Sequence, residues 1–381
     1  LLLSKSFVLF QQTIEPETCH NFLCMIIGVP KEILAHENRV AMTPDWARTL
    51  HEAGHNVYVQ TGAGVGSSFH DEAYRKAGAV ILDTAEEVFK KSDIIVKVKQ
   101  PLEQEYKLIE ERHILFTYLH LASSKTLTDA LTRTGAHCIA YETIEDRSGR
   151  LPLLKPMSEV AGRMSVQIGA RFLERGVNDQ HPGRGILLGG AAGVPPAIVT
   201  ILGAGIVGRA ALKIAVGMGA HVNVFDNNLN ALSEIDDLYG SRVATIFSTS
   251  SAIEKRVLES DLVIGAVLIT GKKAPMLVTE SMVKQMGYGS VIVDVAVDQG
   301  GCIETSEVTS HDNPIIVKHN VLHYGVANMP GAVPNTSTHA LCNSTMPYLL
   351  KLANRGISAL DEDPGFKKGL NIADGKLLID I

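Results

Sequence analysis

AIVTILGAGIVGRAALKIAVGMGAHVNVFDNN, residues 197–228, is the stretch whose reading decides the fold. The apolar run Ile198–Leu202 reads as a buried strand and leads straight into Gly203-Ala204-Gly205-Ile206-Val207-Gly208. A helical stretch to about Met218 follows, then a second strand, His221–Phe225, closed by Asp226. Strand, glycine turn, helix, strand and terminal acid in one register mark a dinucleotide-binding βαβ unit. Gly203 allows the tight turn, Gly205 lets the backbone approach a pyrophosphate, and Gly208 lets helix and strand pack closely. Phosphate charge sits against the unpaired N–H groups at the helix start. Asp226 stands where a carboxylate accepts hydrogen bonds from ribose hydroxyls. A 2′-phosphate there meets a like charge, so the residues favour NAD over NADP.

Outward from this unit the chain alternates in the same way. Before it come strands at Met25–Val29, Asn56–Gln60, Ile94–Lys99, Ile114–Tyr118 and Cys138–Tyr141, with an apolar pair at Val80–Ile81. Helical stretches at Thr43–Glu52, Asp71–Ala77, Ala85–Lys90 and Lys125–Arg133 separate them. A long helical stretch, Ser158–Arg175, leads to the second set: Ile198–Leu202, Val222–Phe225, Ala244–Ile246, Leu262–Ile264, Ser290–Val293 and Ile315–Val317. Strands spaced by helices of about ten residues imply an α/β fold of βαβ units with parallel sheets. After Pro334 a helical tail, Ser337–Leu352, is too short for its own core and returns to the first domain. The division expected is therefore 25–152 plus 335–381 for one domain and 153–334 for the nucleotide-binding domain. Residues 1–24 carry no initiator Met and no small-residue cleavage site, and Met25 opens a clean strand, so they are read as an extension outside the fold.

Composition narrows the function classes. The 381 residues are 45% hydrophobic and 20% charged, ordinary for a chain with a full core. Lys and Arg number 35 against 41 Asp and Glu, a net charge of −6, which argues against a nucleic-acid binder. The 5 cysteines are scattered without a CxxC pair, which points to a reducing compartment, here cytoplasmic, rather than a disulfide framework or thiolate zinc site. The uncharged run at 185–208 holds two adjacent prolines and many glycines, so a buried strand and turn explain it better than a membrane span.

One motif is to be rejected. His51-Glu52-Ala53-Gly54-His55 matches the zinc-hydrolase pattern H-E-x-x-H, which needs both imidazoles on one face of a continuing helix. Gly54 is a natural helix terminator and a strand follows at once, so the helix ends between the two histidines. Better candidates lie at strand carboxyl ends, where open α/β sheets bind ligands. Lys99 ends a strand before Pro101, His120 follows ILFTY, Asp298 follows SVIVDVAV, and Arg39 lies in the loop after the first strand. Gly265-Ala266 in LVIGAVLIT ends a further buried strand beside the nucleotide turn.

These segments, taken together, resemble the alanine dehydrogenase branch of the alanine dehydrogenase and pyridine nucleotide transhydrogenase family. The likeness runs from about Met25 to about Gly375. It is carried by GVPKE (28–32), NRVAMTP (38–44), TGAGVGSSF (61–69), VKVKQP (96–101), ILFTYLHLA (114–122), AYET (140–143), LLKPMSEVAGR (153–163), the GAGIVG turn, DLVIGAVL (261–268), VDVAVDQGG (293–301) and VANMPGAVPNTSTHAL (326–341). The resemblance implies two Rossmann-like, doubly wound domains with a cleft between them. It implies NAD-dependent oxidative deamination of L-alanine to pyruvate and ammonia, with the reverse amination. By residue match, Arg39 clasps the substrate carboxylate and Lys99 hydrogen-bonds the carboxylate or carbonyl oxygen. His120 is the general acid/base and Asp298 its acidic partner. Ser158, Ile206, Val207, Asp226, Ser248, Val267, Leu268, Val295, Ala296, Val297, Asp298, Val326, Ala327, Asn328 and Met329 match cofactor positions, Asn328 near the nicotinamide end. A homohexamer is the assembly implied. A guanidinium fork suits a carboxylate, and a histidine titrates near neutrality.

Four positions depart from the family pattern. Ala231 stands where many relatives carry a basic residue near the adenosine ribose. Lys351 and Arg355 replace a Glu and a His that some relatives use for a peripheral metal, so no metal is expected. Asn335 replaces a basic residue. The rival reading is the soluble NAD(H)-binding subunit of a proton-translocating transhydrogenase, which has no need of the Arg39, Lys99, His120 and Asp298 quartet. A more distant one is a redox-sensing module without turnover.

Overall fold

A computed structural model describes residues 24–176, 182–267 and 274–380. The first run of elements is β1 (Ile26–Val29), α1 (Pro44–Glu52), β2 (Asn56–Gln60), α2 (Asp71–Lys76), β3 (Val80–Leu82), α3 (Ala85–Lys91), β4 (Ile94–Val96), α4 (Glu103–Tyr106), β5 (Ile114–Thr117), α5 (Lys125–Thr134) and β6 (His137–Ala140). Helix α6 (Lys155–Leu173) leads to β7 (Ile198–Leu202), α7 (Ile206–Gly217), β8 (His221–Asp226), α8 (Leu229–Tyr239), β9 (Val243–Phe247), α9 (Ser250–Glu259), β10 (Leu262–Gly265), α10 (Glu280–Val283), β11 (Val291–Asp294), β12 (Ile315–Lys318) and β13 (Val321–Tyr324). The chain ends with α11 (Pro334–Arg355), α12 (Pro364–Lys367), β14 (Leu370–Ala373) and β15 (Lys376–Leu377).

Two sheets result. One has the order β15-β14-β6-β5-β4-β1-β2-β3 and the other β12-β13-β11-β10-β7-β8-β9. Read from their far edges, both begin third strand, second, first, fourth, fifth, the doubly wound Rossmann order. The chain direction switches between β1 and β4 in one sheet and between β7 and β10 in the other. Such switch points leave a crevice outside the strand carboxyl ends. The expectation of parallel pairing holds for the sheet centres and fails at the edges, where β12 pairs antiparallel with β13 and β14 antiparallel with β6 and β15. Only His319 and Asn320 separate β12 from β13, with φ of 52° and 62°. A two-residue turn with both φ positive reverses the chain into a hairpin, so β13, a strand the sequence reading lacks, enters beside β11. Helices α8 and α9 also go beyond the elements expected.

Local signals set the helix ends. Thr43 caps α1 by accepting from Trp46 N, with Pro44 in the first turn. Thr84 and Glu87 form a capping box at α3. Helix α1 stops at Glu52 and Gly54 takes φ +90°, so the H-E-x-x-H histidines do not share a helix face. His51 lies against Gly78, while buried His55 accepts from Met25 N and meets Asn354 Oδ1 at 3.1 Å. Strand β4 is shorter than the expected Ile94–Lys99 because a side chain, Glu32, captures the N–H groups of Val98 and Lys99. The run at 185–208 contains a short bridge between Ala191 and Val194, then β7 and the glycine turn. Among the described residues no helix is long and apolar enough to cross a membrane.

Two main cores follow the sheets. Ile27, Val29, Val57, Ile94 and Phe116 of the first sheet share one cluster with Leu341, Met346, Leu349 and Leu352 of α11. Val199, Ile201, Val224, Ile264 and Val293 form another with Val160 and Val166 of α6 and Ala211 and Leu212 of α7.

Candidate active site

The nucleotide end is built from backbone. Strand β7 runs into Gly203, whose φ is +108°, and α7 starts at Ile206. A Cβ on Gly208 would lie 1.8 Å from the Gly203 carbonyl oxygen, whereas one on Gly205 would meet nothing within 4 Å. Gly208 therefore serves packing, and Gly205 faces open space at the helix N-terminus, a cradle suited to a diphosphate. Asp226 closes β8 and reaches back to the turn, its Oδ2 accepting from Ala204 N at 2.6 Å and its Oδ1 from Asn228 N at 2.8 Å. Each oxygen keeps a second lone pair. Ser248 N donates to the Asp226 carbonyl, and Val267 lies beside Gly203. Near Ala231, the guanidinium of Arg209 spans the Ala204 and Ala231 carbonyls and pairs with Glu234 at 2.7 Å. Val295 to Val297 follow β11 at the same rim, and Leu268 lies outside the described residues.

The opposite rim is built from charged side chains. Arg39 is buried, with Nε 2.6 Å from Glu37 Oε1 and Nη2 2.5 Å from Glu37 Oε2. Burial works against both charges, but each partner more than offsets it for the other: the Glu37 carboxyl lies below its usual range and the Arg39 guanidinium above its own. The remaining edge of the guanidinium donates to Asn328 Oδ1 at 2.9 Å and lies 3.0 Å from Met157 Sδ, while Asn328 Nδ2 donates back to Glu37. Arg39 thus joins the first sheet's loop to the second sheet's. Asn328 takes φ +59°, a left-handed conformation that asparagine tolerates better than most residues. Met329 and Val326 are buried beside it, and Ser158 lies on α6 next to Met157.

Lys99 lies beyond β4 and faces Arg39, Glu37, Asp298 and Glu32; burial, then the Arg39 charge, lower its affinity for a proton. His120 lies beyond β5 with φ +50°, stacked on the Tyr118 ring at 5.8 Å. Its side chain is 42% exposed, and its Nδ1 is 3.9 Å from Glu142 Oε1. Glu142 also accepts from the backbone N–H groups of Leu119 and His120, which holds the strained turn. Loss of hydration lowers the His120 pKa below 6.5; Glu142 opposes this most strongly, Lys99 reinforces it, and Asp298 opposes it less. The nearer carboxylate for His120 is therefore Glu142, whereas Asp298 sits exposed on the turn after β11 and faces both Lys99 and His120.

Sequence reasoning brings in Arg39, Lys99, His120, Asp298 and Asn328 but not Glu32, Glu37, Glu142 or Asp294. Glu37 and Glu142 lie within HENRV and AYET, and their only local signal is proximity to a candidate. Asp294 ends β11 fully buried, its carboxyl pushed up to about 6 by burial. Of the departures, Asn335 donates to the Ser67 carbonyl, Lys351 pairs with Asp363 at 2.9 Å, and Arg355 pairs with Glu362. Among the described residues no group of three or more His, Cys, Asp or Glu side chains is placed to hold a metal ion.

Comparison with known proteins gives a consistent answer. The alanine dehydrogenase/PNT N-terminal domain matches residues 28–161 and the C-terminal domain matches 165–380. The alanine dehydrogenase of Methanococcus maripaludis is 55% identical over 355 residues, covering 93% of this chain and 94% of that one. The alanine dehydrogenase of Bacillus subtilis is 53% identical, covering 92% of each chain. A solved L-alanine dehydrogenase superposes with a TM-score of 0.90 at 54% identity, covering 93% of this chain and 97% of the other. The transhydrogenase from Sinorhizobium meliloti superposes with a TM-score of 0.81 at 25% identity, covering 93% and 100%. With both domains matched in order and half the residues shared across nearly the whole length, this chain belongs to the alanine dehydrogenase/PNT family.

Proposed function

We propose that this chain is an NAD-dependent alanine dehydrogenase, oxidising L-alanine to pyruvate and ammonia and running the reverse amination. Family membership implies a nicotinamide nucleotide, and the Asp226 carboxylate at the ribose end of the turn supports NAD as its form. The observation that supports the reading is that Arg39 of the first sheet's loop meets Asn328 of the second, with Lys99 and His120 under the electrostatic influence of Arg39 and Asp298. Residues 25–152 with 335–381 then act as the substrate domain and 153–334 as the nucleotide domain. The α11 packing on the first sheet and the pairing of β14 with β6 support that division. A homohexamer in the cytoplasm completes the reading.

A nicotinamide nucleotide held at the glycine turn would supply the acceptor for the hydride that leaves the substrate Cα. In this mechanism the Arg39 edge that meets Asn328 and Met157 turns to the substrate carboxylate, a charge-assisted contact in a desolvated place, while Glu37 keeps the other edge. Lys99 donates to the carboxylate and to the oxygen that becomes the pyruvate carbonyl. The substrate reacts as its free amine, so loss of hydride from Cα leaves an iminium. His120, neutral above its lowered pKa, takes a proton from the water that attacks the iminium carbon, returns it to the nitrogen, and takes the hydroxyl proton as ammonia leaves and the carbonyl forms. Glu142 keeps the ring oriented, and Asp298 balances the positive charge that His120 gains.

The test is NADH formation with L-alanine, L-serine and glycine, using NAD and NADP in parallel, and NADH consumption with pyruvate plus ammonium. Turnover with alanine and NAD is expected. Binding of NADH without turnover in either direction would overturn it and favour the transhydrogenase-type reading, which the Sinorhizobium meliloti likeness supports.

A further inference from the structure

Behind the cleft lies a buried charge cluster that the proposed reaction does not touch. Lys97 has no exposed surface, and its ammonium sits 3.2 Å from Glu32 Oε2 and 2.9 Å from Glu105 Oε1. Neither carboxylate side chain is more than 4% exposed. Burying such ions costs several kcal/mol each before pairing, and apolar side chains of similar volume often stabilise a core as well. A stability role alone therefore explains the cluster poorly. Its second set of contacts explains it better. Glu32 Oε1 accepts from Val98 N at 2.6 Å and from Lys99 N at 3.4 Å, and Glu105 Oε2 accepts from Leu102 N at 2.9 Å. The two carboxylates grip both ends of the loop that carries Lys99, and Lys97 ties them together.

We propose that Glu32, held in place by Lys97 and Glu105, is a positioning residue for Lys99: its carboxylate ends β4 early and fixes the Lys99 backbone at the cleft. This rests on the proposed function only for what Lys99 does to substrate. The charged groups facing Lys99 are Arg39, Glu37, Asp298, Glu32 and His120. Arg39 opposes the Lys99 charge, and the three carboxylates support it. Glu105 pairs with the same Lys97, but its backbone contact is with Leu102 rather than Lys99.

That asymmetry supplies the test. Acetylation of Lys99 by acetic anhydride is followed across pH by mass spectrometry in the full chain and in Glu32→Gln and Glu105→Gln, each checked for an intact thermal transition. Both variants strip Lys97 of one carboxylate, so a purely structural role moves them alike. Positioning predicts that Glu32→Gln shifts half-labelling of Lys99 to lower pH by a fraction of a unit, since Glu32 is the weakest of the charges acting on it, together with a fall in kcat/KM for alanine as the Lys99 backbone loses its anchor. Glu105→Gln is expected to move Lys99 far less. If Glu32→Gln does not fold, Glu32→Asp, which keeps the charge but draws it back from the Lys99 backbone, is expected to show a smaller shift in the same direction. Equal shifts in the Glu32 and Glu105 variants, or none at Glu32, would overturn the proposal. A Lys99 shift without loss of turnover supports the positioning and instead removes Lys99 from the proposed reaction.

Discussion

The two sheets share their strand order, yet their carboxyl rims are opposites. The rim of β7 and β8 is largely backbone: a glycine turn, a helix N-terminus and the carboxylate of Asp226. The rim of β1, β4 and β5 is side-chain chemistry: Glu37 with Arg39, Lys99, His120 with Glu142, and the ion cluster behind them. The lesson is that topology provides a crevice and the loops decide its chemistry. A rim of N–H groups suits a diphosphate common to many reactions. A rim of desolvated charges suits one small zwitterion and one proton transfer.

The sharpest way to break this contrast is His120→Ala. Loss of a general acid/base costs roughly 10²–10⁴ in kcat, while NADH affinity, measured by fluorescence titration, is expected to stay within about twofold, since on the proposed reading the nucleotide is held by the other rim. Equal losses in both would erase the distinction. Next come two glycines of one turn. Gly208→Ala drives a methyl into the Gly203 carbonyl and is expected to cost about 1–3 kcal/mol of stability in urea unfolding, as overpacking does. Gly205→Ala meets no protein atom, so its unfolding midpoint should stay put while NADH affinity falls about tenfold, about 1.4 kcal/mol. Matching stability losses in the two would show that Gly205 is a packing residue after all. The smallest expected effect is Glu142→Gln. Because the Glu142 charge raises a His120 pKa that desolvation lowers, its removal lowers that pKa further. The acid limb of kcat/KM for alanine should then move to lower pH, by less than about one unit. A move to higher pH would mean that His120 is not the group titrating.

The same contrast explains what was legible. The glycine turn is visible as a string because every part of it lies within about thirty residues and acts through backbone conformation. The end of β4 is misread at Lys99 because Val96, Lys97, Val98 and Lys99 alternate as a strand should, and only Glu32, from the loop after β1, takes their N–H groups away. The antiparallel edges are hidden for a related reason: apolar periodicity marks a strand without stating its direction.

By itself the sequence determined the two rounds of βα alternation and the glycine turn between β7 and α7, since these depend on neighbours a few positions apart. Only the tertiary structure decided that Arg39 meets Asn328 across 289 residues, that Glu142 rather than Asp298 is the nearer carboxylate to the His120 ring, and that Lys99 is held from behind by Glu32. Charge states and reach are set by which groups lose their water together, and that is a property of the assembled cleft.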